Sequence, residues 1–122
     1  MSYTPHKYLH KALVSKIKNL GFATFGSFPR VEVYNFDVTP GAPKGINDYV
    51  VTCIVEVIDS GDDMTRSLDM IETLRTNLDE INIAGYDVIA EPEILTTATE
   101  TTDTDFIIYR QIQRMRFIIN KK

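Results

Sequence analysis

The stretch VIDSGDDMTRSLDMIETL, Val57 to Leu74, sets Asp59, Asp62 and Asp63 around Gly61. Three carboxylates so close in sequence could hold a divalent cation or form a general acid/base cluster. A calcium loop of the EF-hand type needs oxygen ligands at its first, third and fifth positions, glycine at the sixth and glutamate at the twelfth. Counted from Asp59, those positions hold Asp59, Gly61, Asp63, Met64 and Met70, so the pattern fails. Helix capping uses every residue: Gly61 turns the chain, Asp62 or Asp63 accepts from the open N–H groups of a first helical turn, and negative charge is favoured there. His6 and His10, one turn apart, lack a third ligand nearby and read as a solvent-facing pair. Asp79 and Glu80 are adjacent acids in an acidic segment, a pattern of solvated surfaces. The sequence contains no Gly-rich phosphate loop, no Cys/His spacing for zinc and no Ser, His and acid set on structured elements. The expectation is a protein without catalytic residues, metal or cofactor.

The elements that carry these residues follow from periodicity. Thr4 is a good N-cap with Pro5 at the first helical position, and Leu9, Leu13, Ile17 and Leu20 form one apolar stripe that Gly21 stops. PRVEVYNFDV predicts a strand from about Arg30 to Val38. TPGAPKGIND, Thr39 to Asp48, carries two prolines and two glycines and predicts an exposed loop. DYVVTCIVEVI places Tyr49, Val51, Cys53, Val55 and Val57 on one face and Val50, Ile54 and Ile58 on the other, the mark of a central strand. Met64, Leu68, Ile71, Leu74 or Arg75, Leu78 and Ile81 recur at helical spacing and predict a second amphipathic helix on the sheet. A third strand runs from Tyr86 to about Leu95, with Pro92 arguing for an edge position or a break. The Thr-rich segment Thr96 to Asp105 predicts a polar excursion before a long closing strand, FIIYRQIQRMRFII. Parity on that strand puts Arg110, Arg114 and Arg116 on a solvent or partner face and Tyr109, Met115, Phe117 and Ile119 on a core face. The predicted fold is α+β: a mixed, mostly antiparallel sheet of about four strands packed against two amphipathic helices.

A chain of 122 residues fits one domain spanning residues 1–122, with exposed loops at about 39–48 and 96–105. Cys53 is the one cysteine and reads as a small core hydrophobe, compatible with a reducing compartment. The N-terminal residues lack the apolar core of a signal peptide and no apolar run is long enough to span a bilayer, so the expectation is synthesis in the cytoplasm without a membrane partner. The net charge of −4 hides a segregation: residues 1–31 hold five Lys or Arg and no acid, residues 32–105 hold all 17 acids with three bases, and residues 106–122 hold five bases and no acid. Should the basic ends meet in the fold, one side would be positive, favouring head-to-tail contact between copies. A nucleic-acid patch is disfavoured, because the closing arginines alternate with core residues and no aromatic platform clusters with them.

The element order, together with PHKYLHKALVSKIKNL, DYVVTCIVEVIDSGDDMTRSLDMIETLRTNL and IYRQIQRMRFIIN, resembles the tail terminator and tail completion (head-tail joining) proteins of tailed bacteriophages across nearly the whole chain. The resemblance implies a structural virion protein of the tail or neck. Such a subunit forms a ring, typically a homohexamer, that caps the tail tube, ends its polymerisation and joins tail to head. The implied partners are other copies of the chain, the major tail tube protein and a head completion or connector protein, with DNA passing through the lumen without sequence-specific contact. No catalytic residue is carried over. Under this reading Arg110, Arg114 and Arg116, with Pro40, Lys44, Thr101 and Asp103 in the loops, are the subunit and ring contacts. A connector or stopper ring of the neck, a ferredoxin-like small-ligand module and a cation-dependent hydrolase built on Asp59 to Asp63 are the alternatives.

Overall fold

The computed structural model describes residues 5–40, 48–61, 63–101 and 107–121. The order is α1 Pro5–Asn19, β1 Arg30–Pro40, β2 Asp48–Ser60, α2 Thr65–Asn77, β3 Tyr86–Thr101 and β4 Ile107–Lys121. The strands form one sheet in the order β1-β2-β4-β3, and every neighbouring pair is antiparallel. The fold is α+β, with no parallel pairing among the described strands in place of the mixed sheet expected. β2 is central, as its two apolar faces imply, and β1 and β3 are the edges.

Both helices lie on one face of the sheet. Leu9, Leu13 and Ile17 of α1 and Met70, Ile71 and Leu74 of α2 join Val51, Cys53, Val55 and Val57 of β2 and Met115, Phe117 and Ile119 of β4 in one core. Each fully buried aliphatic side chain there contributes about 1.5–3 kcal/mol relative to exposure. On α2 the buried stripe runs through Ser67, Met70, Ile71 and Leu74, while Leu68 is 38% exposed. The helical stripe is therefore rotated from the expected one, because α2 starts at Thr65 and turns Ser67 toward the sheet.

Two bulges set what each face presents. Between Tyr34 and Asp37 the β1–β2 register shifts, with Asn35 at φ 64°, a left-handed conformation asparagine tolerates. The extra residue lets Phe36 pack against the core and puts Asp37 on the opposite face, opposite Thr52. A second shift between Pro92 and Leu95 sets Glu93 and Ile94 against the single residue Arg114. Pro92 is thus on an edge strand and beside a break in its ladder.

Two of the expected loops are shorter than the sequence suggested. β1 continues through Thr39 and Pro40, which pair with Val50 and Tyr49, and Asp48 begins β2. Pro40 is tolerated because it ends an edge strand, where a missing N–H removes little from the ladder. Thr96 to Thr101 belong to β3 and pair with β4 through Ile107. The β-branched threonines suit a pleated surface, and a long partner strand outweighs their polarity. Residues 41–47 and 102–106 lie outside the described residues.

Candidate functional site

The helices cover one face of the sheet and leave the other without a layer from the described residues. The strand register fixes what that open face contains. Across the strands from β1 to β3 it reads Arg30, Ile58, Arg110, Ala98; then Glu32, Glu56, Ile112, Thr96; then Tyr34, Ile54, Arg114 with the bulged Ile94; then Asp37, Thr52, Arg116, Glu91; then Thr39, Val50, Ile118, Ile89. Four strands about 4.8 Å apart and about 13 residues long span roughly 800 Å², close to what each partner contributes to a stable protein interface. Ile94 is 66% and Ile89 53% exposed. Apolar residues thus alternate with charged ones over an area ordinarily buried by a partner.

Most of the charges on this face are already paired. Glu56, only 4% exposed, accepts from the Tyr34 hydroxyl at 2.6 Å and from Arg110 Nη1 at 2.9 Å. Arg110 Nε donates in turn to Glu100 at 3.2 Å. Burial, then the bond to Glu56, pushes the Tyr34 phenol up to about 12, so it remains a donor at neutral pH. The same carboxylate holds the Arg110 guanidinium more firmly protonated than usual. Arg30 bonds Glu32 at 2.8 Å, and Arg116 reaches Glu91 at 3.4 Å. Arg114 is exposed and has no carboxylate partner among the described residues. It rims a cleft of about 190 Å³ walled by Ile54, Ile94, Thr96 and Ile112.

The three arginines named from sequence therefore share one face but differ in role: Arg110 and Arg116 bond acids of their own chain, and Arg114 does not. Pro40 ends β1, and Thr101, which is exposed, ends β3 at the opposite edge of the sheet. Lys44 and Asp103 lie outside the described residues. The basic ends of the chain do not form the single patch expected: α1 packs on the helical side of the sheet, away from the β4 arginines, and of the first 31 residues Arg30 shares the open face with them, in one row with Arg110.

No protein-family model matches this chain, and no curated protein matches it.

The acidic turn is structural in its visible bonding. Both Asp59 oxygens accept from Arg66, at 2.7 Å and 2.6 Å, and Ser60 N–H adds a third bond at 2.8 Å. Asp63 accepts from the backbone N–H of Thr65, the first residue of α2, at 2.8 Å, one position before the helix boundary residue Met64. Asp62 lies outside the described residues. Among the described residues no three His, Cys, Asp or Glu side chains converge as a metal site. His6 and His10 are exposed on α1, His10 with its ring edge-on to Phe36 at 5.5 Å.

Asp59 ties β2 to α2, and its pH dependence follows from its bonds. Arg66 foremost, with Ser60 N–H, holds the carboxyl below the usual carboxylate range against the opposing effect of burial. A depressed folded-state value stabilises the fold at pH above the unfolded value of about 3.9, and that stability is lost as pH falls through the folded value. Asp59→Asn is therefore expected to be less stable than the native chain at pH 7, with the gap closing below about pH 4. Urea unfolding followed by circular dichroism at pH 7, 5 and 3 checks this; a gap independent of pH would refute it.

Sequence reasoning missed the buried polar residues. Gln111 and Gln113 occupy core-face positions of β4 at 0% and 1% exposure. Gln111 accepts from Thr97 at 2.7 Å and donates to Ser67 at 3.2 Å, stitching β3, β4 and α2 together. Parity with Tyr109 and Met115 was the available signal for both glutamines, as was Glu56 inside the apolar run VVTCIVEVI. Cys53 is 1% exposed, and burial pushes its thiol up to about 12, an inert core side chain. A cleft of about 460 Å³ lies between α1, residues 24–26 and β1. Its Arg30 already bonds Glu32 and the Gly26 carbonyl and sits 4.9 Å over the Phe28 ring. That guanidinium is held in place by its own chain rather than presented to a ligand. No described helix is long and apolar enough to cross a membrane.

Proposed function

We propose that this chain is a non-catalytic assembly subunit of the tail-terminator kind: a ring, typically of six copies, that caps a phage tail tube, ends its polymerisation and joins tail to head. The observation that carries the reading is the open sheet face, about 800 Å² by strand spacing, with exposed Ile89 and Ile94 beside ion pairs already formed. Such a surface is built for protein contact: its charges are oriented before docking, and its apolar rows lose water when a partner arrives. The element order and the α+β fold fit the family resemblance. The bonding of Asp59 and Asp63 to their own chain accounts for the acidic turn without chemistry. The proposed partners are other copies, the tail tube protein and a head completion or connector protein, with DNA threading the lumen.

The test is the absolute mass of the purified chain by light scattering after size exclusion, at low and high salt and up to about millimolar protein, with negative-stain microscopy of the same fractions. An annular particle of about six subunits is the expected result. A connector or stopper ring would show a different subunit number. A strictly monomeric chain under every condition would count against a ring-forming subunit.

A further inference from the structure

We infer that the open sheet face of one copy receives the outer face of α2 from the next copy, with Leu68 entering the Ile54, Ile94 and Ile112 cleft and Asp69 pairing with Arg114. The inference rests on the assembly reading and names the surfaces that carry it. The receiving side is the cleft of about 190 Å³ with Arg114 on its rim. Its neighbours Arg110 and Arg116 are bonded to acids of the same chain, while Arg114 has no such partner among the described residues. An occupant that satisfies this site brings an apolar side chain with a carboxylate next to it.

The chain itself carries such a pair on its opposite layer. Leu68 is 38% exposed on α2, a large apolar residue beside the buried stripe and outside the core cluster. Asp69 follows it, exposed and without a cation among the described residues, whereas Glu72 on the same helix pairs with Arg75 and Arg66 pairs with Asp59. The donor and the receiver lie on opposite sides of the sheet. Contact between them is therefore head-to-tail, the kind that closes into a ring when the rotation between copies permits. Each copy then gains on its open face a helical layer like the one its own α1 and α2 supply on the other. Asp69 and Arg114, opposite charges that each lack an ion-pair partner among the described residues, also give the encounter its charge complementarity.

The test compares the native chain with Arg114→Glu, Leu68→Glu, Asp69→Arg and the double variant Arg114→Glu with Asp69→Arg, by light-scattering mass and by circular dichroism to verify folding. All three positions changed are on the surface, so the subunits are expected to fold. The expected result is a native oligomer, a fall of each single variant to the mass of one chain, and recovery of the oligomer in the double variant, whose charges are exchanged. Oligomers unchanged in every single variant would overturn the inference while leaving the ring intact. Loss of assembly in Arg114→Glu alone, with both α2 variants assembling normally, would also overturn it, in favour of sheet-to-sheet contact. A native chain that stays monomeric at every concentration and salt would remove the assembly reading and the inference together.

Discussion

Phe117→Ala is expected to cost about 3–5 kcal/mol of folding stability, roughly a fifth or more of the total for an ordinary small domain. Phe117 is fully buried on the core face of β4, between Val51 of β2 and Ala90 of β3. The ring thus sits over a small residue on one side and a medium one on the other, in the strand that joins the two halves of the sheet. Its removal leaves a cavity that neither neighbour can fill, because Val51 is held in the central strand and Ala90 has no side chain to extend. Urea unfolding by circular dichroism gives the number directly, with Lys11→Ala on the exposed side of α1 as a control expected to change stability by less than about 1 kcal/mol. A loss of under about 1 kcal/mol for Phe117→Ala would mean that the core is not centred where these contacts place it.

How far the chain could be read before its structure depended on which force decided each element. Leu9, Leu13 and Ile17 form a stripe because apolar spacing alone orients a helix on a core, and all three are buried. Parity placed Met115, Phe117 and Ile119 inward for the same reason. The strand ends were misread where polarity and prolines competed with long-range pairing. Thr96 to Thr101 look like a loop locally, and only the presence of β4 alongside makes them a strand. The bulges at Asn35 and at Glu93 with Ile94 are invisible to alternation, yet they decide that Asp37 and Ile94 reach the open face. The arginine face was legible by parity. Which arginine has a partner was not, because Glu56, Glu100 and Glu91 reach it from other strands.

That difference among the arginines leads to an asymmetry in stability. Arg110→Met is expected to cost roughly 2–3 kcal/mol, somewhat below the usual figure for breaking a buried pair because the Arg110 side chain is partly in contact with water. The cost arises from what remains: Glu56, 4% exposed, keeps the Tyr34 hydroxyl as its one described side-chain donor. Glu56→Gln is expected to cost less, about 1 kcal/mol, since the amide oxygen still accepts from Tyr34 and Arg110 retains Glu100. Replacing both partners, Arg110→Met with Glu56→Leu, removes the stranded charge and should recover much of the loss. Urea unfolding of the three variants at pH 7 decides the matter; if Arg110→Met costs no more than Glu56→Gln, the guanidinium is not what keeps the buried carboxylate tolerable. The same asymmetry governs any test of assembly. Neutralising Arg110, Arg114 and Arg116 together would weaken the subunit through Arg110 while removing a contact through Arg114, so a lost oligomer would have two causes. Arg114 alone, exposed and bonded to no acid of its own chain among the described residues, separates docking from folding.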